Sequence, residues 1–154
     1  MELGLDYDPA SGFVEQYWSA VARYPTEHAL PVLPRGGGTS LAGQCVNFAV
    51  MLDFGAHCRR VLEVDERGMT ARVEPGVTLD QLNAALAPVG LMFGPDVATS
   101  SHATLGGMIG NNSAGARSIL YGRTVENLLA LDVVMPDGSA MHLCEGGCER
   151  DPRQ

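Results

Sequence analysis

Of the 19 glycines of this chain, eight are gathered in two places. Gly36, Gly37, Gly38 and Gly43 crowd residues 35–43, and Gly106, Gly107, Gly110 and Gly115 crowd residues 104–115. Glycine loses more backbone freedom on folding than any other residue, so a cluster marks backbone shapes, or close approaches to the main chain, that a side chain would block. The first cluster follows a short apolar run, Ala29-Leu30-Pro31-Val32-Leu33, which reads as a strand entering a loop. A glycine turn after a strand can aim several backbone N–H groups at one anion.

Two nucleotide loops and a bare turn compete for residues 34–44. A Walker A loop needs G-x4-G-K-[ST]; Gly38 and Gly43 have that spacing, but Gln44 and Cys45 stand where lysine and the hydroxyl belong. A dinucleotide fingerprint needs a third glycine where Leu41 stands, and a βαβ unit that the flanking pattern does not supply. A bare turn requires fewer glycines than Gly36-Gly37-Gly38 followed by Thr39-Ser40. Arg35 adds either charge for an anion or a structural ion pair.

Composition restricts partners. The 154 residues are 45% hydrophobic and 18% charged, which suits one packed domain rather than a disordered chain. The formal net charge of −8 disfavours nucleic acid and anionic lipid as main partners. No apolar run approaches the roughly 20 residues of a membrane span. The start, Met1-Glu2-Leu3-Gly4, lacks the basic and apolar regions of a signal peptide. These features read as an intracellular chain, cytoplasmic or peripheral at the inner face of the membrane.

Residues 12–24 carry a helical pattern through Phe13, Tyr17, Ala20 and Tyr24, ended by Pro25. Residues 48–53 read as a buried strand, and residues 60–65 and 69–74 as a hairpin about Asp65-Glu66-Arg67-Gly68. Thr78 and Gln81 form a capping box for a helix with Leu79, Leu82, Ala85 and Leu86 on one face, stopping near Pro88-Val89-Gly90. Residues 94–117 show little regular pattern, and such a long loop in a compact domain is often functional. Residues 127–135 and 139–143 are apolar runs around a Pro136-Asp137-Gly138 turn, and the polar end reads as a frayed tail. Hairpins with scattered helices favour an α+β class.

The second glycine-rich stretch divides in two. Residues 94–107 offer small hydroxyls and N–H groups to a polyoxygenated ligand, or form an ordinary polar surface loop. His102 within them is a solvated side chain or a catalytic group. Residues 109–124 add Asn111 and Asn112, amides able to read a heterocycle edge, with Gly115 allowing close approach and Arg117 or Arg123 available to phosphate. Cys45 and Cys58 read as buried free thiols. Cys144 and Cys148 lack the further ligands of a zinc or iron–sulfur site, so no metal is expected.

Five motifs in order resemble one family: Pro34–Gln44, Val73–Val77, Gly94-Pro95-Asp96 with Thr99-Ser100-Ser101, Thr104–Gly107, and Gly110–Gly115. This set resembles the FAD-binding domain of p-cresol methylhydroxylase/vanillyl-alcohol oxidase type found in FAD-linked oxidases, in its glycolate oxidase and D-lactate dehydrogenase branch. The resemblance covers about residues 30–143. It implies two α+β subdomains with FAD between them, incomplete here at both ends: a divergent helical segment over residues 1–28, a partial FAD-binding domain over 29–143 and a tail over 144–154. It implies that Arg35, Gly36, Gly37, Gly38, Thr39 and Ser40 wrap the diphosphate. It implies further that Pro95, Asp96, Thr99, Ser100, Thr104, Gly106 and Gly107 line diphosphate and flavin, with Asn111, Ser113 and Gly115 continuing that wall. Some members attach FAD through a histidine where Thr39 stands, so non-covalent FAD is expected. The implied reaction is oxidation of a 2-hydroxy acid by hydride transfer to FAD, with the substrate held by a domain absent from this sequence and electrons passed on, in some members to an iron–sulfur region. No general base is identified. A truncated, non-catalytic fragment is the competing expectation.

Overall fold

The computed structural model describes residues 25, 27–144 and 146–150, so the expected helix at 12–24 lies outside the described residues. The chain divides into two units. Residues 32–128 form one, and the other takes its described part from residues 25–31 and 129–150.

In the first unit, β1 (Val32–Arg35) pairs in parallel with β2 (Val50–Asp53), in the register Val32 to Val50 through Arg35 to Asp53. A parallel return needs a crossover of about a dozen residues or more, usually a helix. Here residues 36–49 make that crossover with no helix or strand, so the glycine-rich segment is the connection itself. β1 begins three residues later than the apolar run suggested, after Ala29 at φ 52°. β2 is shorter than expected and is not buried. Val50 and Met51 are 36% and 43% exposed, which corrects the expectation of a core strand. An apolar run is compatible with either a covered or an open strand, and periodicity alone does not separate them.

β3 (Val61–Asp65) and β4 (Thr70–Val73) form the expected antiparallel hairpin, with a register shift between Val61 and Glu63. α1 (Leu79–Leu86) opens on the capping box: the Gln81 N–H donates to Thr78 Oγ1 at 3.3 Å, and the Thr78 N–H donates to Gln81 Oε1 at 3.0 Å. A single 3-10 turn, Ala87–Val89, carries it to Gly90 in the left-handed region at φ 70°. Leu79, Leu82 and Leu86 are buried with Val77, Ala103, Leu105 and Met108, and Val61, Val64, Val73, Leu91, Phe93 and Val97 pack around them. Each such leucine contributes roughly 1.5–3 kcal/mol by leaving water.

Leu105 and Met108 belong to a helix that the sequence pattern did not reveal. α2 (Leu105–Asn111) runs through the stretch expected to be irregular. Leu105, Met108 and Ile109 have helical spacing but span little more than one turn, too short a run to establish a period, and Gly106, Gly107 and Gly110 have low helix propensity. Tertiary fit decides it, because a Cβ on Gly106 would meet Pro75 Cβ at 2.8 Å. Thr104 is the N-cap and Asn112, at φ 46°, the C-cap. A short α3 (Ser118–Tyr121) and a 3-10 turn at Thr124–Asn127 complete the unit.

The second unit holds an antiparallel sheet of β5 (Ala130–Val134), β6 (Ala140–Cys144) and β7 (Gly147–Arg150), in that order. β7 pairs with β6 from Met141 to Arg150 through Cys144 to Gly147, where a frayed tail was expected. Its polar composition hid it, because backbone pairing needs no apolar side chain. Among the described residues no helix is long and apolar enough to cross a membrane.

Candidate functional site

The crossover 36–49 and α2 face each other within the first unit. The strongest tie is steric. A Cβ on Gly36 would overlap Thr104 Oγ1, and one on Gly37 the His102 carbonyl oxygen, so only bare backbone allows the loop this close. Gly38 is in the left-handed region at φ 65°, beneath the Arg35 guanidinium, with Nη2 2.7 Å from an added Cβ. Asn111 Nδ2 donates to Ser40 Oγ at 3.1 Å, joining the end of α2 to the loop.

The wall opposite the loop is fixed by main-chain bonds. Thr78 and Thr104 form an antiparallel bridge, so the N-caps of α1 and α2 lie side by side. The Leu105 N–H donates to Val77 O at 2.8 Å, the Gly106 N–H to Pro75 O at 2.9 Å and the Gly107 N–H to Thr104 Oγ1 at 3.3 Å. The first donors of α2 are therefore engaged by protein acceptors. In contrast, the N–H groups of Gly36, Gly37, Gly38, Thr39 and Ser40 donate to no acceptor among the described residues.

Between loop and helix lies a cleft of about 370 Å³. Of the residues implied by the resemblance, Arg35, Gly36, Gly37, Gly38, Thr39, Ser40, Thr104, Gly106, Gly107, Asn111 and Ser113 line it. Pro95, Asp96, Thr99, Ser100 and Gly115 do not. Pro95 is fully buried. Asp96 Oδ1 accepts the Arg117 N–H at 2.7 Å, and its Oδ2 pairs with Arg117 Nε at 3.3 Å. Gly115 packs against the Asp96 carbonyl. The Thr99 carbonyl accepts the His102 and Ala103 N–H groups at 2.8 and 2.7 Å, and the Ser100 carbonyl accepts the Asp80 N–H at 3.2 Å. These five hold the turn that carries Thr104 and the loop that follows α2.

Leu33, Pro34, Gln44, Cys45, Phe54, Pro75, Ala103, Met108 and Gly110 also line the cleft. Pro34, Gln44, Pro75 and Gly110 stand inside the quoted motifs, which was the available signal. Phe54 and Met108 gave none, because a lone apolar residue beside a core looks like core. Arg35 makes no ion pair among the described residues, and its Nη1 donates to Met51 Sδ at 3.4 Å. Arg117 is instead held by Asp96, and Asn112 Oδ1 accepts the Val125 N–H at 3.1 Å, so neither serves the cleft. His102 is exposed, with Nδ1 2.8 Å from Ser101 Oγ. Cys45 is half-buried rather than buried, with Sγ 3.9 Å from the Gly38 and Ser40 carbonyls. Cys58 is buried, and burial, reinforced by the Glu74 charge and opposed by Arg60, pushes its thiol above 9.0. The described residues contain no group of three or more His, Cys, Asp or Glu placed to hold a metal.

The family described as "FAD binding domain" matches residues 15–143. D-2-hydroxyglutarate dehydrogenase of Pantoea ananatis is 42% identical over 124 residues, covering 79% of this chain and 12% of that protein. Glycolate oxidase subunit GlcD of Bacillus subtilis is 39% identical over 115 residues, covering 73% of this chain and 24% of its own length. The chain therefore spans a minor part of these relatives. Among solved structures, an alkyldihydroxyacetonephosphate synthase superposes with a TM-score of 0.72 at 26% identity, over 85% of this chain and 24% of that one. With the five motifs in order, the α+β architecture and a cleft walled by the first and last of the glycine loops, the chain belongs to the FAD-binding domain family of the FAD-linked oxidases.

Proposed function

We propose that the cleft holds FAD without a covalent bond, with its diphosphate on residues 36–40, and that this domain serves a larger oxidoreductase acting on a 2-hydroxy acid such as D-lactate or glycolate. The observation that carries the reading is the run of five N–H groups, from Gly36 to Ser40 on the rim of the cleft, that have no acceptor among the described residues. Successive N–H donors suit an anion. Arg35 supplies a cation there, and side chains at Gly36 or Gly37 would displace the loop. The residues present thus fit a diphosphate.

Thr104, Gly106, Gly107 and Ser113 form the opposite wall. Pro95, Asp96, Thr99, Ser100 and Gly115 support that wall from behind. When bound, FAD supplies the hydride acceptor, and the protein binds, orients and shields it. Thr39 has no ring nitrogen to bond to the flavin, so the attachment is reversible. The substrate class rests on the names of the relatives, and an iron–sulfur region or subunit is the proposed route for electrons onward.

A second reading concerns the isolated chain. Among the described residues that line the cleft there is no Asp, Glu or His. A general base must then come from elsewhere, and this chain alone binds FAD without turnover. Purified protein incubated with FAD should retain a yellow chromophore with a shifted visible spectrum, and acid precipitation should release all of it. A colourless protein at high micromolar FAD refutes the binding proposal. Steady reduction of an artificial acceptor by this chain with D-lactate or glycolate refutes the second reading.

A further inference from the structure

The bond between Asn111 and Ser40 joins residues 71 apart in sequence, and both line the cleft. A serine hydroxyl has one proton and two lone pairs. The Asn111 amide N–H occupies one lone pair of Ser40 Oγ at 3.1 Å, so the hydroxyl proton must point away from Asn111. That hydroxyl has no other partner among the described residues. The neighbouring Asn112 is committed elsewhere, capping α2 and accepting from Val125. Of the two adjacent amides, only Asn111 bears on the loop.

We infer that Asn111 is a positioning residue: it takes the acceptor side of Ser40 and thereby turns the Ser40 O–H into the cleft as a donor to an oxygen of the ligand diphosphate. The inference rests on the FAD-binding proposal above. It gives Asn111 a role other than reading a heterocycle edge. Its amide acts on Ser40, and Ser40 acts on the ligand. It also explains why an amide suits this position. A carboxylate has no proton to give, so an aspartate here would draw the Ser40 proton toward itself and leave a lone pair facing the phosphate.

The test is a double-mutant cycle of Ser40→Ala and Asn111→Asp on the full chain, read as dissociation constants for FAD, ADP and riboflavin. Aspartate also adds charge, and the Ser40→Ala background measures that effect by itself. With Ser40 present, Asn111→Asp should weaken FAD and ADP by about tenfold or more beyond its effect in the Ser40→Ala background, the size of a hydrogen bond to a charged group. Riboflavin, which lacks the diphosphate, should bind all four proteins alike. Asn111 is exposed and Ser40 only half-buried, so ligand-free unfolding temperatures should agree within about 2 °C. Equal losses in the two backgrounds overturn the positioning role, and a loss shared by riboflavin overturns the assignment to the diphosphate. If the unaltered chain binds no FAD, the FAD proposal falls and this inference with it. If it binds FAD but the cycle is additive, the inference alone falls.

Discussion

Replacing Gly37 by alanine separates a cradle from a structural loop. The new Cβ would overlap the His102 carbonyl oxygen. Ordinary contact requires one partner to retreat by about an ångström or more. The His102 side cannot easily do so. Its N–H and that of Ala103 are bonded to the Thr99 carbonyl at 2.8 and 2.7 Å, the Ala103 carbonyl accepts from Leu79 at 3.1 Å, and Ala103 is in the core. The loop, whose N–H groups from Gly36 to Ser40 have no acceptors among the described residues, is the side that yields. Its displacement gives up few protein bonds, so the fold should lose no more than about 1 kcal/mol, below the 1–3 kcal/mol typical of overpacking a core. The ligand loses more. Misdirecting one or two N–H donors to a charged oxygen costs about 1.5–3 kcal/mol, or roughly 10- to 150-fold in affinity. Equilibrium titration with FAD and thermal unfolding of the ligand-free protein measure the two terms separately. FAD binding within about threefold of the unaltered chain refutes the reasoning, and so does a ligand-free stability loss of several kcal/mol.

Three further outcomes are expected. Thr78→Ala removes the acceptor of the Gln81 N–H and should cost about 1 kcal/mol in denaturant unfolding, with Thr78→Ser largely restoring it. Asp96→Ala removes both the acceptor of the Arg117 N–H and the partner of its guanidinium; Asp96→Asn keeps a neutral acceptor and should lose less, the pair being part-exposed and so worth about 1 kcal/mol or less as a charge interaction. The Cys58 thiol ionises at higher pH when folded than when unfolded. Its contribution to stability is therefore full below pH 9.0 and declines above it, as the unfolded thiol ionises first, until the folded thiol ionises too. Urea midpoints of the unaltered chain should fall more steeply above that pH than those of Cys58→Ala, and parallel curves would count against the argument.

The parts of this protein legible from sequence are those with a local physical cause. Thr78 and Gln81 announce a helix start because each satisfies the other's exposed backbone. The apolar positions Val61, Val64, Ala71 and Val73 on either side of Asp65–Gly68 announce a hairpin because two short apolar runs joined by a turn suffice for one. The glycines at 36–38 and 106–107 announce close main-chain approach, since little else offsets their entropy, and the order of five motifs carries the family with them. Tertiary structure decided what depends on distant partners. α2 is a helix despite three glycines because Leu105 and Met108 are buried and Gly106 fits against Pro75. β2 is open rather than buried, and β7 is a strand without apolar pattern, because covering and pairing are set by neighbours. The cleft is decided the same way. Gly36 needs no side chain because Thr104 stands in its place, and Asp96 and Thr99 stand behind the wall because their oxygens hold Arg117, His102 and Ala103. Sequence showed where the backbone had to be bare; only the packed chain shows what comes close to it there.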